Sequence, residues 1–116
     1  MNARNQDDHV KNIAFLMDPD GQWRLSPAFD LTYSYNPNGL WTARHQMSMN
    51  NKRDAFTLQD FIECGRTVSM KQGRAEKILA EVSEEVLNWT SYAEAAQVPP
   101  DVAEKIKKTH RTILRM

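Results

Sequence analysis

Asn5-Gln6-Asp7-Asp8-His9-Val10-Lys11-Asn12, answered further on by Ser26-Pro27-Ala28-Phe29-Asp30, is the stretch whose reading decides the rest of this chain. An aspartate with an asparagine five positions later is the spacing of phosphoryl-transfer loops. There the carboxylate receives a hydroxyl proton and the asparagine helps to hold magnesium. A separate aspartate, on a segment returning from a β-turn, bridges the metal to the phosphates. Asp7, Asn12 and Asp30 match those three positions in order. Taken alone, Asp7 reads as a turn or helix-capping aspartate; the combination makes it the candidate base. Asp8 is expected to point elsewhere in the loop, and spacing alone does not separate it from Asp7.

Between the two halves of the motif, the apolar run Ile13-Ala14-Phe15-Leu16-Met17 meets Asp18-Pro19-Asp20-Gly21 and then Gln22-Trp23-Arg24-Leu25. Proline presets the second turn position and glycine accepts positive φ, so a β-hairpin is expected, carrying Asn12 and Asp30 to one place. Phe15 and Trp23 read as core. Residues 33–52 read as irregular, with a turn at Asn36-Pro37-Asn38-Gly39 and a short strand from about His45 to Asn50. His45 reads as a surface or loop histidine with a structural hydrogen bond rather than one touching phosphate or substrate.

The remainder is helical by periodicity. Thr57 with Asp60 three residues on makes a capping box, and Phe56 with Phe61 a hydrophobic staple. A first helix follows from Leu58 to about Arg66, with Phe61 and Ile62 inward. Ala75, Ile78, Leu79, Val82, Val86, Trp89, Ala93 and Ala96 recur at three and four, marking one continuous helix from near Met70 until Pro99-Pro100. A last helix begins near Asp101, with Val102, Ile106, Thr109 and Ile113 on one face. Cys64 reads as a buried core thiol.

These motifs together resemble the C-terminal lobe of the HipA-like serine/threonine kinases, the toxins of bacterial toxin–antitoxin modules. The family pattern is roughly D-x-H-x-K-N, a hairpin, then L-x-P-x-Y-D. Asp7-Asp8-His9-Val10-Lys11-Asn12 and Leu25-Ser26-Pro27-Ala28-Phe29-Asp30 follow it, with Phe29 where tyrosine is commoner. The resemblance is strongest over residues 5–36 and extends through the helices to about residue 96. It implies Asp7 and Lys11 as catalytic residues, Asn12 and Asp30 as ligands of Mg²⁺, and His9 beside them on the ATP side of the site. Physically, His9 suits a loop-anchoring role. Lys11 could neutralise the γ-phosphoryl or pair with Asp7 or Asp8 to shape the loop. Protein substrates are implied, aminoacyl-tRNA synthetases among them, together with a DNA-binding antitoxin partner.

A kinase also needs a lobe over the phosphates and a lysine, usually on a strand, to pair with them. Six residues precede Asp7, and the four glycines are unclustered. The expectation is therefore a C-lobe portion, cut or encoded separately and inactive alone. It is expected to form a single α+β, mainly helical domain over residues 1–116, with catalytic and metal-binding loops in 1–36 and helices in 57–116. The alternative is a catalytically inert C-lobe acting as a helical docking module for an antitoxin or another protein.

Composition narrows the classes further. Formal net charge is zero, which implies neither a nucleic acid nor a membrane partner for the chain as a whole. Acids gather near the motif, while Lys105, Lys107, Lys108, Arg111 and Arg115 make the tail basic, suiting a solvated helix face or a phosphate-bearing partner. Pro99-Pro100 fits poorly as the turn of a helix-turn-helix, against direct DNA binding. No apolar run approaches the roughly 18 residues of a membrane span, and the polar, acidic start is not a secretory signal. A single cysteine excludes an intrachain disulfide and suits the cytoplasm. His9, His45 and His110 are too scattered for zinc.

Overall fold

Asp18 closes the hairpin almost unaided. Its carboxylate oxygen accepts the amides of Asp20 and Gln22 at 2.9 Å each, and its carbonyl accepts the amide of Gly21 at 3.0 Å. Gly21 sits at φ +81°, the left-handed position that follows a type I turn and that a side chain resists. In this computed structural model, which describes residues 1–111, the turn joins β1 (Phe15–Met17) to β2 (Trp23–Leu25) in antiparallel register. Phe15 pairs with Leu25 and Met17 with Trp23, so all four project from one face of the two-stranded sheet. Each is between 58% and 68% exposed. The expectation of Phe15 and Trp23 as core is therefore overturned: the hairpin is apolar, but no described element of the chain lies on it.

No strand forms at 45–50. One isolated bridge, Met49 with Lys52, closes a two-residue turn in which Asn50 and Asn51 both take positive φ, at 51° and 61°. Asparagine tolerates that region, so a turn forms at the point where the expected strand was to end, while the alternation before it finds no partner strand.

The helices are α1 (Leu58–Thr67), α2 (Arg74–Leu87), α3 (Trp89–Ala95) and α4 (Pro100–Thr109). The α+β, mainly helical class stands. At the head of α1, buried Asp60 accepts the Thr57 amide at 2.7 Å and its hydroxyl at 3.0 Å. The same carboxylate takes Asn50 Nδ2 at 2.7 Å and Lys52 Nζ at 2.9 Å, tying the Asn50-Asn51 turn to the helix. The staple is present too, with Phe56 and Phe61 edge to face at 6.4 Å. Phe56 and Leu79 are the buried centre of the core, with Met49, Leu58 and Phe61 packed around them. Gly65 lets α1 and α2 close up, since a Cβ there would stand 3.1 Å from that of Ala75. Cys64, one position away, faces solvent, so its expected burial is corrected.

The continuous helix expected from Met70 to Ala96 is in fact two helices with a later start. Ser69, at φ 56°, ends α1 with the Met70 amide on the Gly65 carbonyl, a Schellman closure. Asn88 then interrupts the stripe: its amide caps α2 through the Glu85 carbonyl, and its own carbonyl receives Ser91. The break lets Trp89 donate Nε1–H to the Ala103 carbonyl at 2.9 Å and brings α3 against α4. Pro100 begins α4, where a missing amide costs nothing. Ile113 and Arg115, expected on the last helix and basic tail, lie outside the described residues.

Asp60 sets an acid prediction. The Thr57 amide first, then Lys52 and Asn50, hold its carboxyl well below the usual carboxylate range. A depressed folded value stabilises fully above the unfolded value, about 3.8, and the contribution is lost as pH falls beneath it. Melting temperature should therefore decline from about pH 4 downward, and Asp60→Asn should flatten that decline. Superimposable acid profiles for the two proteins would remove Asp60 as its cause.

Candidate functional site

The motif loop is laced to the middle of the chain by alternate residues. The Gln6 amide donates to the Ser34 carbonyl at 3.0 Å, and Ser34 returns its amide to the Arg4 carbonyl at 3.1 Å. Gln6 is fully buried, with Nε2 on the Thr42 carbonyl at 2.8 Å. Two residues on, one Asp8 oxygen meets His45 Nδ1 at 2.8 Å and the other accepts the Gln46 amide at 2.8 Å. Asp7, between these inward-turned neighbours, is exposed. Gln6 and Asp8 thus take the buried side and leave Asp7 for solvent, which separates the two adjacent aspartates. Asp8 is committed as an acceptor; Asp7 holds a carboxylate in the open.

His45 is the loop histidine with a structural hydrogen bond that was expected, but it does not lie at the surface. It is completely buried, edge-on to Phe56 at 5.3 Å, and Arg53 caps its carbonyl at 2.7 Å. Burial pushes its imidazole below the ordinary value, against the upward pull of Asp8. Its Nε2 is sealed with no partner among the described residues, so a second ring proton would have nothing there to bond. The ring is therefore neutral, donating Nδ1–H to Asp8.

Beyond Asp8 the chain makes one 3₁₀ turn, Val10–Asn12, with the Asn12 amide on the His9 carbonyl at 3.1 Å. The turn presents Asn12 to Asp30 across the base of the hairpin. Asn12 Nδ2 donates to Asp30 Oδ2 at 3.2 Å and lies 3.4 Å from its carbonyl. Asp30 takes φ +53°, a strained choice for a residue other than glycine, of the kind concentrated at functional sites. Asn12 Oδ1 is sealed from solvent without a partner among the described residues, and it is Nδ2, not Oδ1, that faces the Asp30 carboxylate. With the amide turned over, the two residues would offer the hard oxygens that suit Mg²⁺, which binds few protein ligands and completes its shell with water and phosphate. Among the described residues no group of three or more His, Cys, Asp or Glu is placed to hold a metal by itself.

His9 anchors the loop through its carbonyl, while its ring Nδ1 is sealed without a partner among the described residues. Lys11 is exposed and forms no ion pair with Asp7 or Asp8, which leaves its ammonium available. A cavity of about 180 Å³ adjoins Asn12, lined by Ile13, Leu25, Ser26, Phe29 and Leu31 among others. Ligand pockets usually span about 300–1,000 Å³, so this one is too small to enclose a nucleotide. Sequence reasoning missed Gln6, and for His45 it foresaw the structural hydrogen bond but neither the burial nor the partner Asp8. The alternation of Gln6 and Asp8 about Asp7 was a readable signal for the first; nothing local announced the burial of the second.

A family model, the HipA-like C-terminal domain, matches residues 1–90 and so takes in the loop, the hairpin, α1 and α2. No curated protein and no solved structure matches the chain. No helix among the described residues is long and apolar enough to cross a membrane.

Proposed function

We propose that this chain, which belongs to the family of HipA-like C-terminal domains, is the catalytic-loop portion of an ATP-dependent serine/threonine protein kinase with a kinase-like C-lobe fold. The observation that carries the reading is the pairing of Asn12 with Asp30 across the hairpin, on the loop that leaves Asp7 exposed. In this reading Asp7 orients a protein hydroxyl and accepts its proton late, as its oxygen bonds to the γ-phosphorus and the bridging oxygen leaves with ADP. Asn12 and Asp30 would hold Mg²⁺, which when bound would supply positive charge against the phosphates. Lys11, one residue before Asn12, contributes charge to the equatorial oxygens.

The bare apolar face of the hairpin and the undersized cavity both call for a covering lobe that completes the nucleotide site. Family resemblance extends the proposal to a toxin of a toxin–antitoxin module, acting in the cytoplasm on a protein such as an aminoacyl-tRNA synthetase and restrained by a DNA-binding antitoxin. A second reading, an inert docking module, is favoured by an apolar groove of about 480 Å³ along α2 and α3, lined by Val82, Val86, Trp89 and Tyr92 among others.

Manganese in place of magnesium separates the two readings. Titrated into the chain, Mn²⁺ should broaden the amide resonances of Asn12 and Asp30 selectively. Asp30→Asn, an exchange that left-handed backbone tolerates, should weaken that binding by about tenfold or more. Unaltered affinity would take Asp30 out of the site, and no broadening in the native chain would leave the docking module as the better reading.

A further inference from the structure

We infer that His45 is a positioning residue for the proposed site, holding Asp7 and Asn12 in place through Asp8; the inference rests on the phosphoryl-transfer reading. Asp8 would be bonded without it, because one carboxylate oxygen already takes the Gln46 amide, with Met47 at 3.4 Å. What His45 adds is a grip on the other oxygen at 2.8 Å, which stops the carboxylate turning about the first. With both oxygens pinned, the backbone at Asp8 has one orientation. Asp7 on one side is thereby kept outward. On the other side the 3₁₀ turn closed by His9 and Asn12 transmits the same constraint to the Asn12 amide.

The position is an expensive one for a histidine. Fully buried against Phe56, the ring leaves Nε2 with no partner among the described residues, an unsatisfied group that an apolar ring of similar shape would not carry. A buried polar group kept at that cost, bonded to the residue next to the candidate base, is accounted for by orientation rather than by stability. The arrangement has the logic of outer-shell partners that orient metal ligands, whose loss typically lowers metal affinity by about 10–100-fold.

The test uses the whole chain with Mn²⁺ as probe and three variants. His45→Phe keeps the packing on Phe56 and removes the donor. His45→Asn keeps a donor near the Nδ1 position, and His45→Gln moves it toward the Nε2 position. Well below the melting temperature of each variant, H45F and H45Q should bind Mn²⁺ at Asn12 and Asp30 about tenfold more weakly than the native chain. H45N should stay within about twofold. Long-range ¹⁵N spectra of the native ring should show the Nδ1–H tautomer. Should H45F fail to fold, H45N against H45Q carries the comparison. Equal affinity in H45F and native protein, equal loss in H45N and H45Q, or an Nε2–H tautomer would each overturn the inference while leaving the phosphoryl-transfer reading intact. Absence of Mn²⁺ binding in the native chain would instead overturn that reading and, with it, the inference.

Discussion

In the proposed reading, Asp7→Ala should abolish phosphoryl transfer in the assembled kinase and leave the fold of this chain unaltered. The expected fall in rate is on the order of a thousandfold, the usual contribution of a positioned proton acceptor, while Mg²⁺–ATP affinity stays near native because Asn12 and Asp30 are untouched. The fold is spared because Asp7 is exposed. Asp8→Ala is the informative companion. It strips the acceptor from the Gln46 amide and from His45 Nδ1, so it should lower the melting temperature, which Asp7→Ala should not. Two adjacent aspartates of identical chemistry would thus separate by readout: Asp7 in turnover alone, Asp8 in stability as well as in the geometry of the loop. An Asp7→Ala enzyme that still transfers phosphate at near-native rate would sink the assignment.

What could be read from the amino acids alone divides according to how local the cause is. The Asp18–Gly21 turn, the Asn36–Gly39 turn and the Thr57–Asp60 capping box are written within a few residues and stand where they were expected. The meeting of Asn12 and Asp30 was also legible, because a single hairpin connects them. His45 was not: its burial depends on Asp8, a residue 37 positions away. Phe15 and Trp23 misled for a different reason. Both lie on the exposed apolar face of the hairpin, and composition does not distinguish an apolar residue that packs within the fold from one that stays uncovered. Asn88 broke a helix that an apolar stripe had run straight through, since periodicity counts side chains and ignores a residue whose carbonyl and amide are both engaged locally. The alternation at 46–50 failed because a strand needs a partner, and none lies beside it.

Phe56→Ala should cost about 3–5 kcal/mol of unfolding free energy, the usual loss for a buried phenylalanine truncated in place. Against the roughly 5–15 kcal/mol that holds a typical domain together, that leaves a marginal protein. The effect is large here because so few apolar side chains are fully covered: Phe56, Leu79 and Ala93 are the buried hydrophobic residues among those described. Phe56 also meets three partners at once, the edge of His45 at 5.3 Å, Phe61 at 6.4 Å and the Arg111 guanidinium at 5.9 Å. Truncation therefore opens the staple of α1 and removes the surface against which His45 is held, so the loss should reach the motif loop as well as the helices. Phe56→Leu, which keeps most of the volume, should cost less than half as much. Urea denaturation of the two variants decides the point. A Phe56→Ala loss below about 1 kcal/mol would mean that the cavity collapses freely and that the core does not depend on this ring. A large loss accompanied by unchanged exchange protection at Asp8 and His9 would show that the ring supports α1 but not the loop. If protection at those two amides falls together with global stability, the core and the candidate site are one structure, joined through Phe56, His45 and Asp8.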